Sequence, residues 1–171
     1  NKNDVTILEK MNMLGRKLLI TGKGRCNITS SISIDEFINN VPGDGHFLYI
    51  CLNNFTNEDI LNILKEEGLQ TKVERGNRVF PITDKSQDVL QALLNRLKKL
   101  KVKIEVGANV KEILTEQDIV SGVKYIQGGK EKILKADKVI LATGGKSYSA
   151  TGSTGDGYEL AKKVGHTVTE I

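Results

Sequence analysis

The run VILA at 139–142, closed by TGG at 143–145, constrains the fold of this chain more than any other stretch. Its apolar residues follow one another without polar alternation. Such a run predicts a strand over 138–142 buried on both faces, as in a parallel sheet. A glycine- and serine-rich stretch follows it. A helix then opens at Ser153 or Thr154, carries Tyr158, Leu160, Ala161 and Val164, and stops at Gly165. Val168 starts a further strand. Strand, glycine-rich loop and helix in that order belong to an α/β fold.

The rest of the chain agrees. A short β-favouring run at 5–8 ends in Glu9, and a glycine-rich segment at 15–29 follows, with a strand-like apolar patch at 18–20. One or two helical turns are expected at 34–40 and a turn at 42–45. Thr56, with Asp59 three positions later, caps a helix over 56–67 whose stripe is Ile60, Ile63 and Leu64, with or without Leu61; Gly68 stops it. A strand at 69–74, a turn at 75–78 and the run VFPI lead to a long helix opened at Thr83 or Asp84. Val89, Leu90, Leu93, Leu94, Leu97 and Leu100 recur along it at helical steps. A strand at 102–106 precedes three short strands at 110–114, 119–126 and 131–134, which predict an antiparallel meander turning at Gly128 and Gly129.

A chain of 171 residues can bury one real core, and 39% hydrophobic with 27% charged residues is an ordinary globular balance. No run is long enough to span a membrane. Two cysteines, Cys26 and Cys51, make no disulfide framework and suggest a reducing cytoplasm. The net charge of +4 is densest at Lys98, Lys99, Lys101 and Lys103, which reads as a solvated helix end. With no tryptophan and 5% aromatics, a base-stacking platform is not expected.

Chemistry-bearing residues gather on the loops. Glu9 sits at the carboxyl end of a strand, where open α/β sheets bind ligands. A carboxylate there suits two sugar hydroxyls, although a plain surface glutamate has the same pattern. The segment GRKLLITGKGRCNIT at 15–29 holds three glycines and four cations, Arg16, Lys17, Lys23 and Arg25. Gly22 and Gly24 permit close backbone approach, N–H groups in such a turn form an anion nest, and Asn27 can donate and accept. Cys26 reads as a small buried side chain or as a thiol activated by Arg25. Thr143, Gly144 and Gly145 repeat the theme, as do Thr154, Gly155 and Asp156, where Asp156 is either a favourable first-turn acid or a ligand contact. Tyr148 and Tyr158 either stack on a ring or pack. His46 and His166 stand far apart without metal-ligand spacing. No nucleophile–base–acid set and no paired carboxylates appear. A ligand site without a protein acid, base or nucleophile fits an enzyme whose cofactor does the chemistry.

Three segments carry a resemblance: LEKMNMLGRKLLITGKGRCNIT, GNRVFPITDKSQDVLQALL and VILATGGKSYSATGSTGDGYELAKKVGH. Together they resemble the bacterial NAD(P)/FAD-dependent oxidoreductases of the aminoacetone oxidase-like flavoprotein family and, more distantly, flavoproteins of the fumarate-reductase type. The resemblance implies that 1–171 is a partial Rossmann-like FAD-binding domain with a central parallel sheet, a mixed helical and loop excursion at 30–80 and a β-meander at 109–135. It places Glu9 on the adenosine ribose, and Lys10, Gly15, Arg16 and Lys17 along the ADP and pyrophosphate. Gly24, Arg25, Cys26 and Asn27 would approach the ribityl chain or isoalloxazine. Val110 would offer backbone atoms to adenine. Thr143, Gly144 and Gly145 would pass the adenosine half, and Thr154, Gly155 and Asp156 would lie near the flavin face. The family's first strand, GxGxxG loop and first helix have no counterpart here, so the resemblance implies a fragment that also lacks the C-terminal half. The expected cofactor is FAD, with NAD(P)H as a donor. The expected partner is a small-molecule substrate, with no nucleic acid and no membrane. Self-association is expected through strand edges at 5–8 and 138–142. The rival readings are a cofactor-free α/β module, a basic nucleic-acid binder, and a methyltransferase-like or NAD-only domain.

Overall fold

The computed structural model describes residues 3–170. The chain divides at Lys17/Leu18 and at Lys101/Val102 into two compact units, the first drawn from both ends of the sequence.

The first unit is organised by a parallel pair. Strand β1 (Thr6–Glu9) runs alongside β5 (Lys103–Val106), with Thr6 opposite Lys103 and Glu9 opposite Val106. Backbone bonds prolong the pairing past the strand ends: the Ala108 N–H donates to Glu9 O at 2.9 Å and the Gly107 N–H to Met11 O at 2.8 Å. Strands β6 (Asn109–Glu116), β7 (Ile119–Gln127) and β8 (Lys130–Lys135) form an antiparallel meander in that spatial order. Gly122, Val123 and Tyr125 are the buried residues of its central strand. The Tyr125 hydroxyl donates to Glu105 at 2.9 Å and so ties the meander to β5. Burial first, and then that carboxylate, push the phenol upward from its ordinary value. Helix α6 (Asp156–Lys163) buries Leu160.

The short helix α1 (Arg16–Ile20) spans the Lys17/Leu18 boundary. In the second unit, β2 (Thr29–Ser30), β4 (Arg78–Pro81) and β3 (Thr71–Glu74) pair antiparallel with β4 central. Helix α4 (Asn57–Glu66) starts at a complete capping box, in which Thr56 and Asp59 satisfy each other's backbone N–H. Its Leu64 joins Cys26, Leu69, Val89 and Ala92 in a core against which Leu18, Ile28, Ile60 and Leu93 pack. Val89 and Ala92 come from α5 (Ser86–Lys99). Helices α2 (Ile34–Asn39) and α3 (Tyr49–Asn54) flank a 3₁₀ turn at Gly45–Leu48. This lobe buries Ile38 but leaves Phe37, Phe47, Tyr49, Ile50 and Phe55 exposed. The class is a Rossmann-like α/β fold, a parallel core pair with flanking antiparallel strands.

Several expectations are corrected. Residues 138–142 form no strand: among the described residues nothing supplies a ladder to them, and Ile140 is 92% exposed. An apolar run becomes a strand only where a neighbour takes up its N–H and C=O groups. Val168 likewise begins no strand. The patch at 18–20 is helical, with the Thr21 hydroxyl donating to Leu18 O at 2.7 Å; three apolar residues carry no periodicity that separates strand from helix. Neither Thr83 nor Asp84 opens α5. It begins at Ser86, whose fully buried hydroxyl donates to Leu19 O at 3.0 Å, and Asp84 stands outside it in left-handed backbone. Helix α6 is capped by Gly155 rather than by Ser153 or Thr154. Among the described residues no helix is long and apolar enough to cross a membrane.

Leu64 is 1% exposed at the centre of the second unit's core. Leu64→Ala is expected to cost that unit about 2–5 kcal/mol. Urea denaturation of wild type and variant measures this, and equal midpoints would contradict the packing described.

Candidate functional site

In the first unit the polar residues converge where β1 ends. Glu9 Oε1 accepts the Met11 N–H at 2.7 Å, which turns the chain out of the strand. Lys10 then reaches the start of α6, where Nζ donates to Thr154 Oγ1 at 2.6 Å and to Asp156 Oδ2 at 2.7 Å. The Thr154 hydroxyl donates in turn to Asp156 Oδ1 at 2.6 Å. The Lys10 hydrogen bond first, and the Thr154 bond second, hold the Asp156 carboxyl below the usual aspartate range. Asp156 is the first residue of α6, where a negative charge also meets the positive end of the helix dipole.

Lys17 makes the second tie. Its Nζ donates to Ser147 O at 3.2 Å, Ser147 Oγ at 3.0 Å and Ser153 Oγ at 3.3 Å, and lies 6.0 Å from the Tyr148 ring centre. Two lysines from the front of the sequence thus fasten the loop at 147–156. Gly157 brings Thr143 against the first turn of α6, because any Cβ there would collide with Thr143 Oγ1. Gly144 lies beside the Ser153 hydroxyl and Gly145 beside that of Tyr158. Gly15 precedes α1 and Arg16 opens it. Val110 lies on β6 opposite Tyr125. A shallow cleft of about 360 Å³ is lined by Lys146, Thr154, Gly155, Tyr158, Glu159 and Lys162 among others.

The second unit carries the turn at 22–27. Lys23 and Cys26 have left-handed backbone, with φ of 58° and 62°. A non-glycine residue there is strained by Cβ contacts with its own backbone. Gly22, at φ 55°, cannot be replaced cheaply: a Cβ would lie 2.8 Å from Asn27 N and 2.9 Å from the Phe80 ring. Cys26 is 5% exposed and points into the core. Burial raises its thiol above the ordinary value, with the Thr21 side chain opposing, so Arg25 does not activate it. Gly24 has open space on its Cβ side, and Asn27 and Lys23 are exposed.

Arg25 is held by residues that the sequence did not single out. Its NH1 donates to Glu74 Oε1 at 2.9 Å, Glu74 Oε2 at 3.1 Å and Asp84 Oδ1 at 3.2 Å, while the guanidinium lies 4.0 Å from the Phe80 ring centre. Lys72 Nζ stands 2.6 Å from Asp84 Oδ2 and 3.4 Å from Glu74 Oε1. Each cation therefore meets both carboxylates in a closed four-charge ring. The only signal in the sequence was the spacing K-x-E in a strand, which puts Lys72 and Glu74 on one face.

Hydrogen bonds from Arg25 and from Lys72 hold the Glu74 and Asp84 carboxyls, respectively, below their ordinary ranges. Folded values below unfolded ones mean a contribution fully present above the unfolded carboxylate range of about 4 and lost as pH falls through the lowered folded values. Circular dichroism during acid titration is expected to show a flatter acid limb for the double variant Glu74→Gln, Asp84→Asn. An unchanged acid limb would contradict the ring.

A family model described as the HI0933-like protein Rossmann domain matches residues 1–171. A 3-dehydro-bile acid delta(4,6)-reductase of Clostridium scindens is 35% identical over 167 residues, 98% of this chain and 39% of the relative. A ribosomal RNA dihydrouridine synthase of Haemophilus influenzae is 25% identical over 162 residues, 94% of this chain and 39% of the relative. This chain therefore spans 39% of the length of each of these two curated relatives. The solved structure of the Mycobacterium smegmatis Sdh1 complex in its apo form superposes with a TM-score of 0.69 at 15% identity, over 95% of this chain and 34% of that one, a likeness of fold alone. With the whole of its length matched, this chain belongs to the HI0933-like Rossmann-domain family.

Proposed function

We propose that this chain serves as the FAD-binding portion of a bacterial flavoprotein oxidoreductase. The observation that carries the reading is Glu9 at the carboxyl end of a parallel strand, with one oxygen engaged by the Met11 N–H and Oε2 without a hydrogen-bond partner among the described residues. That oxygen fits a ribose hydroxyl.

In this reading Glu9 holds the adenosine ribose, Val110 offers backbone atoms to adenine, and Thr143, Gly144 and Gly145 line the adenosine half. Gly15 and Arg16 serve the pyrophosphate. Lys10 and Lys17 serve it chiefly by fixing the loop that carries Thr154, Gly155 and Asp156, since their ammonium groups are already engaged there. Gly24, Arg25, Cys26 and Asn27 belong to the flavin half, with Gly24 and Asn27 presenting backbone and amide while Arg25 and Cys26 anchor the turn.

Bound flavin supplies hydride transfer, from a donor such as NAD(P)H to an organic acceptor. The names of both curated relatives, a delta(4,6)-reductase and a dihydrouridine synthase, denote addition of hydrogen to an unsaturated compound. We therefore assign the acceptor to small unsaturated carbonyl compounds. A base in RNA is the second acceptor class, favoured by the 25% identical relative. In this reading the protein works in the cytoplasm, without a membrane, and self-association falls to the edge of β1 alone, since residues 138–142 form no strand. Aminoacetone oxidase-like chemistry, the oxidation of an amine by the same flavin, runs in the opposite direction. Anaerobic incubation of the reduced natural protein with an unsaturated carbonyl compound or a uridine-containing RNA, and of the oxidised protein with an amine, separates these outcomes. Oxidation of its flavin by the carbonyl compound is expected, whereas oxidation by the RNA alone, or no oxidation by any, would overturn the primary assignment.

Glu9→Gln removes a charge-assisted hydrogen bond worth about 1.5–3 kcal/mol. FAD affinity, read by titration of the apoprotein, is expected to fall about tenfold or more. An unchanged Kd would remove Glu9 from the site.

A further inference from the structure

The turn at 22–27 is fastened on two sides. On one side Cys26 inserts into the apolar core among Leu64, Leu69, Val89 and Ala92. On the other, Arg25 lies over Phe80 and is gripped by Glu74 and Asp84, which Lys72 also bridges. On either side of these anchors Lys23 and Asn27 are exposed, and Gly24 is half-buried with open space on its Cβ side. The anchors hold left-handed conformations at Lys23 and Cys26 that an unrestrained chain would leave. Strain of this kind persists only where the surroundings over-determine the backbone, and it gathers where a shape must be ready before a ligand arrives.

The charges argue against a purely cosmetic surface pairing. Isolated exposed ion pairs contribute little, because two long side chains must be ordered for one weak contact. Here four side chains close on one another, so each ordering cost serves two contacts. Asp84 itself has left-handed backbone, at φ 56°, and it sits just before α5 rather than within it. That position swings its carboxylate to Arg25 and Lys72 together.

We propose that Glu74 and Asp84, bridged by Lys72, are positioning residues: through Arg25 they preset the strained turn at 22–27 so that Gly24 and Asn27 meet the flavin half of FAD without reorganisation. This rests on the flavin reading above. None of the three touches the cofactor in it; they act through Arg25.

The test uses the natural full-length protein, stripped of flavin and titrated with FAD, as wild type, Asp84→Asn, Glu74→Gln, Asp84→Glu and Lys72→Arg. Urea midpoints are taken in parallel, and amide hydrogen exchange across 22–27 is followed without flavin. Asp84→Asn and Glu74→Gln are expected to raise the FAD Kd of the folded protein about tenfold, the cost of an unpaired charged partner. They should also speed exchange at 22–27. Asp84→Glu and Lys72→Arg keep the charges and are expected to restore most of the affinity and protection. A merely structural role would lower the urea midpoint and leave Kd and local exchange in the folded protein at wild-type values, and that result overturns the proposal. Wild type that takes no FAD overturns the flavin reading instead.

Discussion

The parallel ladder between β1 and β5 is the constraint on which the rest of the structure depends. Parallel neighbours cannot be joined by a hairpin, because the chain must return to the end where it began. Four residues near the front pair with four residues nearly a hundred positions later. The whole second unit, Leu18–Lys101, is therefore inserted in the connection between them. The same pairing leaves Glu9 at the carboxyl end of its strand, the end at which α/β sheets hold ligands. It also brings Gly107 and Ala108 to the backbone of Met11 and Glu9, so the turn out of the strand is bonded on both flanks.

Within each unit, cations fasten the loops. Lys10, Lys17, Lys72 and Arg25 each find oxygen acceptors within the chain. A basic glycine-rich segment suggests free charge waiting for an anionic ligand. The geometry gives the charges a different task, that of fixing loops; in the proposed function the backbone and small polar groups near them are what meets a ligand. Asp156 illustrates it: a first-turn acid, favourable to the helix dipole, whose carboxylate also closes a bridge to Lys10 and Thr154.

Local signals were legible where one physical cause dominates. The Thr56–Asp59 capping box needs only a hydroxyl and an acid three residues apart, and it forms. The leucine repeat of α5 follows from helical periodicity, and the three strands of the meander form where their short β-favouring runs lie. The buried role for Cys26 was one of two sequence readings and is the geometry found. What could not be read depends on distant partners. Residues 138–142 look like a core strand because their side chains are apolar, yet a strand also needs neighbouring backbone, and none of the described residues provides it. Glu74 and Asp84 are ordinary acids in the sequence; only the antiparallel pairing of β3 with β4 and the left-handed step at Asp84 bring them to Arg25. The start of α5 shifted because Asp84 is committed to that ring and Ser86 to Leu19.

The central claim is that these residues belong to a flavin-binding protein. The most direct measurement is the visible absorbance of the natural full-length protein as purified, followed by denaturation and mass identification of whatever is released. The account predicts a yellow protein that releases FAD in roughly equimolar amount and takes it up again after stripping. A colourless protein that releases no flavin, and binds none when FAD is added, would contradict it.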